Sequence, residues 1–167
     1  MNVELDEVWS KLEVWPEYLL GSRPMRVDLL IKKDRDLVIH KNIGQIFRTY
    51  NFLEYKAPDD YISVDDFYKV YAYACKYIAD TGSTGEVAPG EVTITFICNH
   101  YPVKMLQSIA EDREIYAVKR EEGIYDLLGD PFPMQLILIY ELTKREKLLL
   151  QSLRSNITRS GRESETW

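Results

Sequence analysis

The run "VTITFIC", residues 92–98, limits the possible folds more than any other stretch of the chain. A strand with one solvated face alternates polar and apolar residues, whereas a strand covered on both faces reads as continuously apolar. This run is apolar or β-branched throughout and lies between a loop-forming segment, "TGSTGEVAPGE", and the polar "NHYP". It therefore predicts a central strand with packing on both sides. "PMQLILIYEL" is a second strong strand.

Helical and strand patterns alternate around these runs. Val3, Leu5, Val8, Trp9 and Leu12 recur at helical spacing before Pro16, predicting an amphipathic first helix. Met25, Val27, Leu29 and Ile31 alternate with Arg26, Asp28, Leu30 and Lys32, predicting a half-buried strand that stops at "KDRD". "IHKNIGQIFRTY" reads as a helix whose stripe is Ile39, Ile43, Ile46, Phe47 and Tyr50, with Gly44 marking a close approach to the sheet. "NFLEYKA" is a strand with Leu53, Tyr55 and Ala57 on one face and Phe52, Glu54 and Lys56 on the other. Ser63 and Asp66 resemble a capping box opening a helix to about Asp80, with Phe67, Val70, Tyr71, Ala74 and Ile78 inward. Further elements are expected over Val103–Glu111 (helix), Ile115–Lys119 and Ile124–Leu128 (strands), and Thr143–Leu153 (basic helix). At 167 residues and 46% hydrophobic, the chain suits one core. The expectation is a single α/β domain over residues 1–156, a mixed sheet flanked by helices, with a polar tail over 157–167.

Several function classes find no support. No run approaches the roughly 20 apolar residues of a membrane span, and "MNVELDEVWSKLEVW" lacks the layout of a secretory signal. Cys75 and Cys98 form no C-x-x-C pair, so they are expected as two buried thiols of a cytoplasmic protein. "TGSTGE" is not followed by Lys-Ser/Thr, so it is no P-loop. His40 and His100 flank no ligand cluster and read as loop or surface residues. The net charge of −6 argues against non-specific coating of nucleic acid. The charge is uneven, however: between Gly21 and Lys56, eight Lys or Arg stand against four Asp or Glu. A local site for a polyanion is therefore compatible with an acidic whole.

The residues that could carry chemistry are few. Asp28 lies on the polar face of its strand, and Glu54 and Lys56 lie on the polar face of theirs. If the two strands are neighbours in register, two carboxylates and an ammonium converge, an arrangement suited to Mg²⁺, which takes one or two protein carboxylates. Glu54–Lys56 is the chain's one [DE]-x-Lys. The alternative is that Glu54 and Lys56 merely solvate an outward sheet face.

Asp28 followed by Glu54-x-Lys56 on the next strand resembles the PD-(D/E)xK nuclease superfamily. The run "NIGQIFRTYNFLEYKAPDDYISVDDFYKVYAYAC" is similar to bacterial transposase-associated, recombination-promoting nuclease-like proteins. The resemblance implies a restriction-endonuclease-like αβββαβ core and hydrolysis of DNA or RNA phosphodiesters with Mg²⁺ or Mn²⁺. It implies Asp28 and Glu54 as metal ligands and Lys56 as the residue assisting the attacking water. Lys69, Tyr73 and Arg48 would be substrate contacts, and a first-helix carboxylate would come from Glu4, Glu7 or Glu13. No proline directly precedes Asp28, and a long connection separates the two strands where a tight hairpin is more usual. A catalytically inactive scaffold that binds nucleic acid or protein is the rival expectation. A small-molecule pocket under the tyrosine-rich helix is a third, and a homodimer would suit a duplex substrate.

Overall fold

The computed structural model describes residues 25–39, 42–80, 87–148 and 150–151. The expected first helix with Glu4, Glu7 and Glu13, His40, and the tail over 157–167 lie outside the described residues. The chain is an α/β fold built on a six-stranded mixed sheet. Its elements are β1 (Leu29–Lys32), β2 (Tyr50–Tyr55), α1 (Val64–Asp80), β3 (Val92–Cys98), α2 (Val103–Arg113), β4 (Tyr116–Glu121), β5 (Ile124–Leu128) and β6 (Met134–Leu138). The strand order is β1-β2-β3-β6-β5-β4. β2, β3 and β6 run parallel, while β1 and β5 run against them. No described helix is long and apolar enough to cross a membrane.

β3 lies inside the sheet, and all seven of its residues are buried. Its odd and even side chains enter different clusters. Ile94, Phe96 and Cys98 pack with Phe52, Met134, Leu136 and Leu138 against Phe67, Val70 and Ala74 of α1 and Met105 and Ile109 of α2. On the other face, Leu53, Ile97, Ile124 and Ile137 pack with Ile43, Phe47 and Leu142. Double coverage explains why the run is apolar without alternation.

α1 begins as its capping residues dictate. Ser63 N–H and Oγ–H donate to Asp66 Oδ2 at 2.8 and 3.0 Å, and Asp66 N–H donates back to Ser63 Oγ at 3.2 Å. Most of the helix's tyrosines belong to the core rather than to a ligand pocket. Tyr77 lies 5.6 Å from Phe52, and Tyr71 lies 5.0 Å from Phe132, between ring centroids. The Tyr71 hydroxyl also donates to Asp130 at 3.0 Å, tying α1 to the β5–β6 link.

Three expectations need correction. First, among the described residues of the expected helix over 39–50, the only helical element is a 3₁₀ turn, Asn42–Ile46. Asn51 ends it: its Oδ1 accepts from Arg48 N–H at 2.8 Å, and its Nδ2 donates to the Arg48 and Ile31 carbonyls at 2.7 and 3.0 Å. A side chain that satisfies these backbone groups removes the need for a helical ladder. Second, Gly44 approaches the Ile39 side chain closely, rather than the sheet. Third, Cys75 is exposed on α1, while Cys98 is buried, its thiol pushed up to about 12 by burial.

The β5–β6 link imposes a glycine. Gly129 has φ +126°, and a Cβ there would collide with the Glu114 carbonyl oxygen. Gly129→Ala is expected to lower unfolding stability by at least about 2 kcal/mol, through strain plus displacement of the α2 C-terminus. Gly90, with open space around its Cα, is the control: Gly90→Ala should stay within about 0.5 kcal/mol. Urea unfolding of both variants measures the difference.

Candidate functional site

The site grows out of the β1–β2 register. Leu29 stands opposite Leu53 and Leu30 opposite Phe52 in the antiparallel pair. Asp28 sits in a bend just before β1, and its carboxylate is near enough to Glu54 for its charge to act on that acid. The pairing continues through a side chain, because Tyr55 N–H donates to Asp28 Oδ2 at 2.9 Å. Two carboxylates thus share one patch at the edge where the parallel strands β2, β3 and β6 end, which is where ligands bind in open α/β sheets.

Glu54 is unusual for an acid. Its side chain is only 6% exposed, because Phe96 of β3 lies opposite it and α1 crosses above. Oε1 has one cation near it, Lys69 Nζ at 4.0 Å. Oε2 is buried with no hydrogen-bond partner. Burial raises the Glu54 pKa above the ordinary range, and the Asp28 charge adds to the rise; Lys69 and Lys56 act against it. A buried, unpartnered carboxylate oxygen beside a second carboxylate is costly unless a cation or proton completes it.

Lys56 follows two residues later, in the link from β2 to α1. Its Nζ lies 3.0 Å from Asp66 Oδ1 and 3.9 Å from Asp60 Oδ2. Desolvation opposes its charge, but the Asp66 hydrogen bond and the Asp66, Asp60 and Glu54 charges prevail and raise its pKa. Lys56 is therefore a firmly protonated donor, not a base. Asp66 is held low by its bonds to Ser63 and Lys56, against its own desolvation.

The other sequence-selected residues divide. Lys69 joins the patch, half exposed, with its Nζ 5.7 Å from the Tyr73 ring centroid. Tyr73 itself packs against the core cluster beneath α1. Arg48 lies apart, in the turn that precedes β2, where its guanidinium donates to the Ile46 and Phe47 carbonyls. His100 is a loop residue: its Nε2 lies 3.0 Å from the Pro58 carbonyl, and its ring stacks on Tyr61. A cleft of about 670 Å³ lies on the face away from α1, where Asp28, Lys56, Asn99 and Lys147 line it with apolar Leu53 and Ile139; Glu54, on the α1 face, does not line it.

Asp66 is the member that sequence reasoning gave a different job. Its capping role was legible from Ser63; its approach to Lys56 depends on how the Pro58–Ser63 turn folds back, which no periodicity reports. Among the described residues no group of three or more His, Cys, Asp or Glu is placed to hold a metal. Asp28 and Glu54 are nonetheless a pair of hard oxygen donors, and one or two carboxylates with waters suffice for Mg²⁺. Comparisons of the chain with protein-family models, with curated proteins and with solved structures return no match.

The burial of Glu54 has a measurable consequence. A carboxyl with a raised folded-state pKa costs nothing below its unfolded value near 4.5. The cost grows as pH rises through the folded value and is complete above it. In metal-free buffer Glu54→Gln should therefore melt higher than wild type at pH 8, with the gap closing towards pH 4.5. Thermal melts at the two pH values test this, and an equal gap at both would refute it.

Proposed function

We propose that the chain is a metal-dependent nuclease of the PD-(D/E)xK kind, hydrolysing DNA or RNA phosphodiesters with Mg²⁺ or Mn²⁺. The observation that carries the reading is the buried, unpartnered Glu54 Oε2, in a carboxyl that also feels the Asp28 charge. Further support comes from the order of elements: two antiparallel strands, with Asp28 just before the first, Glu54 on the second and Lys56 just after it, then a helix and a buried parallel strand. This order is compatible with the later part of a restriction-endonuclease-like αβββαβ core.

Asp28 and Glu54 would hold the cation, Glu54 through its free oxygen and Asp28 through the oxygen that Tyr55 N–H does not engage. The chemistry such a cation supplies when bound is polarisation of a phosphate oxygen and activation of water at neutral pH. Lys56 donates hydrogen bonds to the attacking water or to a non-bridging phosphate oxygen, and its charge offsets the charge developing there. The proton released by the water does not go to Lys56, which is already an ammonium. Lys69, half exposed beside Glu54, meets the backbone of the approaching strand.

Cleavage of labelled single- and double-stranded oligonucleotides, with and without Mg²⁺, is the test. Wild type is expected to cleave in Mg²⁺ and to stop on chelation. Asp28→Asn, Glu54→Gln and Lys56→Ala should each lose at least about 100-fold in rate, and Lys69→Ala about 10-fold. Unchanged rates in Glu54→Gln and Lys56→Ala would overturn the proposal. Salt-dependent binding without cleavage would instead favour the non-catalytic scaffold.

A further inference from the structure

We propose that Asp66 is a positioning residue, one that anchors the Lys56 ammonium beside Glu54 by tying it to the first turn of α1. The inference rests on the nuclease reading for its catalytic meaning, but on geometry alone for the anchoring.

The two oxygens of Asp66 have different partners. Oδ2 accepts from Ser63 N–H at 2.8 Å and Ser63 Oγ–H at 3.0 Å, so the helix start fixes where the carboxylate sits. Oδ1 lies 3.0 Å from Lys56 Nζ. The pair is sheltered: the Lys56 side chain is 19% exposed and that of Asp66 13%. A capping box ordinarily uses Glu or Gln, whose longer side chain reaches back to the cap. The shorter Asp caps here too, and its second oxygen meets a residue of the strand–helix link.

A lysine needs such an anchor to act from a defined position. Its four-carbon stem has many rotamers, and an unanchored ammonium would spread over the cleft. The alternative partner is weak, because Asp60 lies at 3.9 Å with its side chain 63% exposed. The remaining charged groups around Lys56 are Glu54 on β2 and Asp28 and Lys147, which line the same cleft. Asp66 is thus the close, ordered contact among them, and it couples the geometry of the first turn of α1 to that of the site.

Asp66→Asn separates the two tasks, since an amide keeps the acceptor for Ser63 and removes the charge opposite Lys56. The protein should fold, while kcat in Mg²⁺ falls about 10- to 100-fold with KM little changed. Asp66→Glu, which retains both acceptor and charge, should recover part of the loss. The double variant Lys56→Ala/Asp66→Asn should cleave no more slowly than Lys56→Ala alone, because Asp66 acts only through the lysine. Losses that multiply would overturn the inference. Urea midpoints of the same variants, measured on metal-free protein, provide a reading independent of catalysis. Shifts that fail to add support the anchoring, and strictly additive shifts overturn it. A wild-type chain that cleaves nothing would sink the nuclease reading, with the midpoints still deciding whether Asp66 holds Lys56.

Discussion

The antiparallel pairing of β1 with β2 is the constraint on which the site depends. With Leu29 opposite Leu53, the chain just before β1 brings Asp28 to the Tyr55 N–H, next to Glu54 in sequence. A slip of one residue would take Asp28 away from that N–H and turn Leu29 and Leu30 to the wrong faces. Two features hold the register. Leu29 and Leu30 go to different hydrophobic clusters, so a slip would misplace both. Asn51, directly opposite Ile31, donates to its carbonyl while closing the turn that leads into β2. The core and the turn thus set the spacing of two carboxylates several residues away.

The two faces of the sheet treat buried polarity differently. On the face away from α1, Thr93 Oγ1 donates to Asn51 Oδ1 at 2.7 Å. Gln135 Nε2 donates to the Ile43 carbonyl at 2.8 Å, and its Oε1 accepts from Arg120, which also donates to Asp126. Those groups link β2 to β3 and β6 to β5 and β4, as expected of a network that specifies a fold. Glu54, on the opposite face, is a deeply placed carboxylate with an oxygen left over.

Legibility in the sequence followed the range of the physics. β3 and α1 were readable because burial on both faces and a capping pair are local patterns. The 3₁₀ turn was misread as a helix because Ile43, Ile46 and Phe47 have helical spacing, while the side chain that halts the helix, Asn51, lies outside the run. The convergence of Asp28 with Glu54 was conditional on strand pairing, a non-local fact. Asp66 was seen only as a cap, since its second contact depends on a turn that brings α1 back over the end of β2.

Charge explains how an acidic chain could still receive a polyanion on the proposed reading. Around the patch and its neighbouring cleft, Asp28, Glu54, Asp60 and Asp66 stand against Lys56, Lys69 and Lys147. With Glu54 ionised, carboxylates outnumber ammonium groups, and the local charge is negative. Burial first, and the Asp28 charge second, raise the proton affinity of Glu54. On the proposed reading a divalent cation would offset the excess of carboxylates, leaving Lys56, anchored on Asp66, and Lys69 to present donors to an incoming strand. On this reading affinity for substrate is gained with the metal rather than carried by the chain's own charge, which is why a net charge of −6 and a nuclease site are compatible.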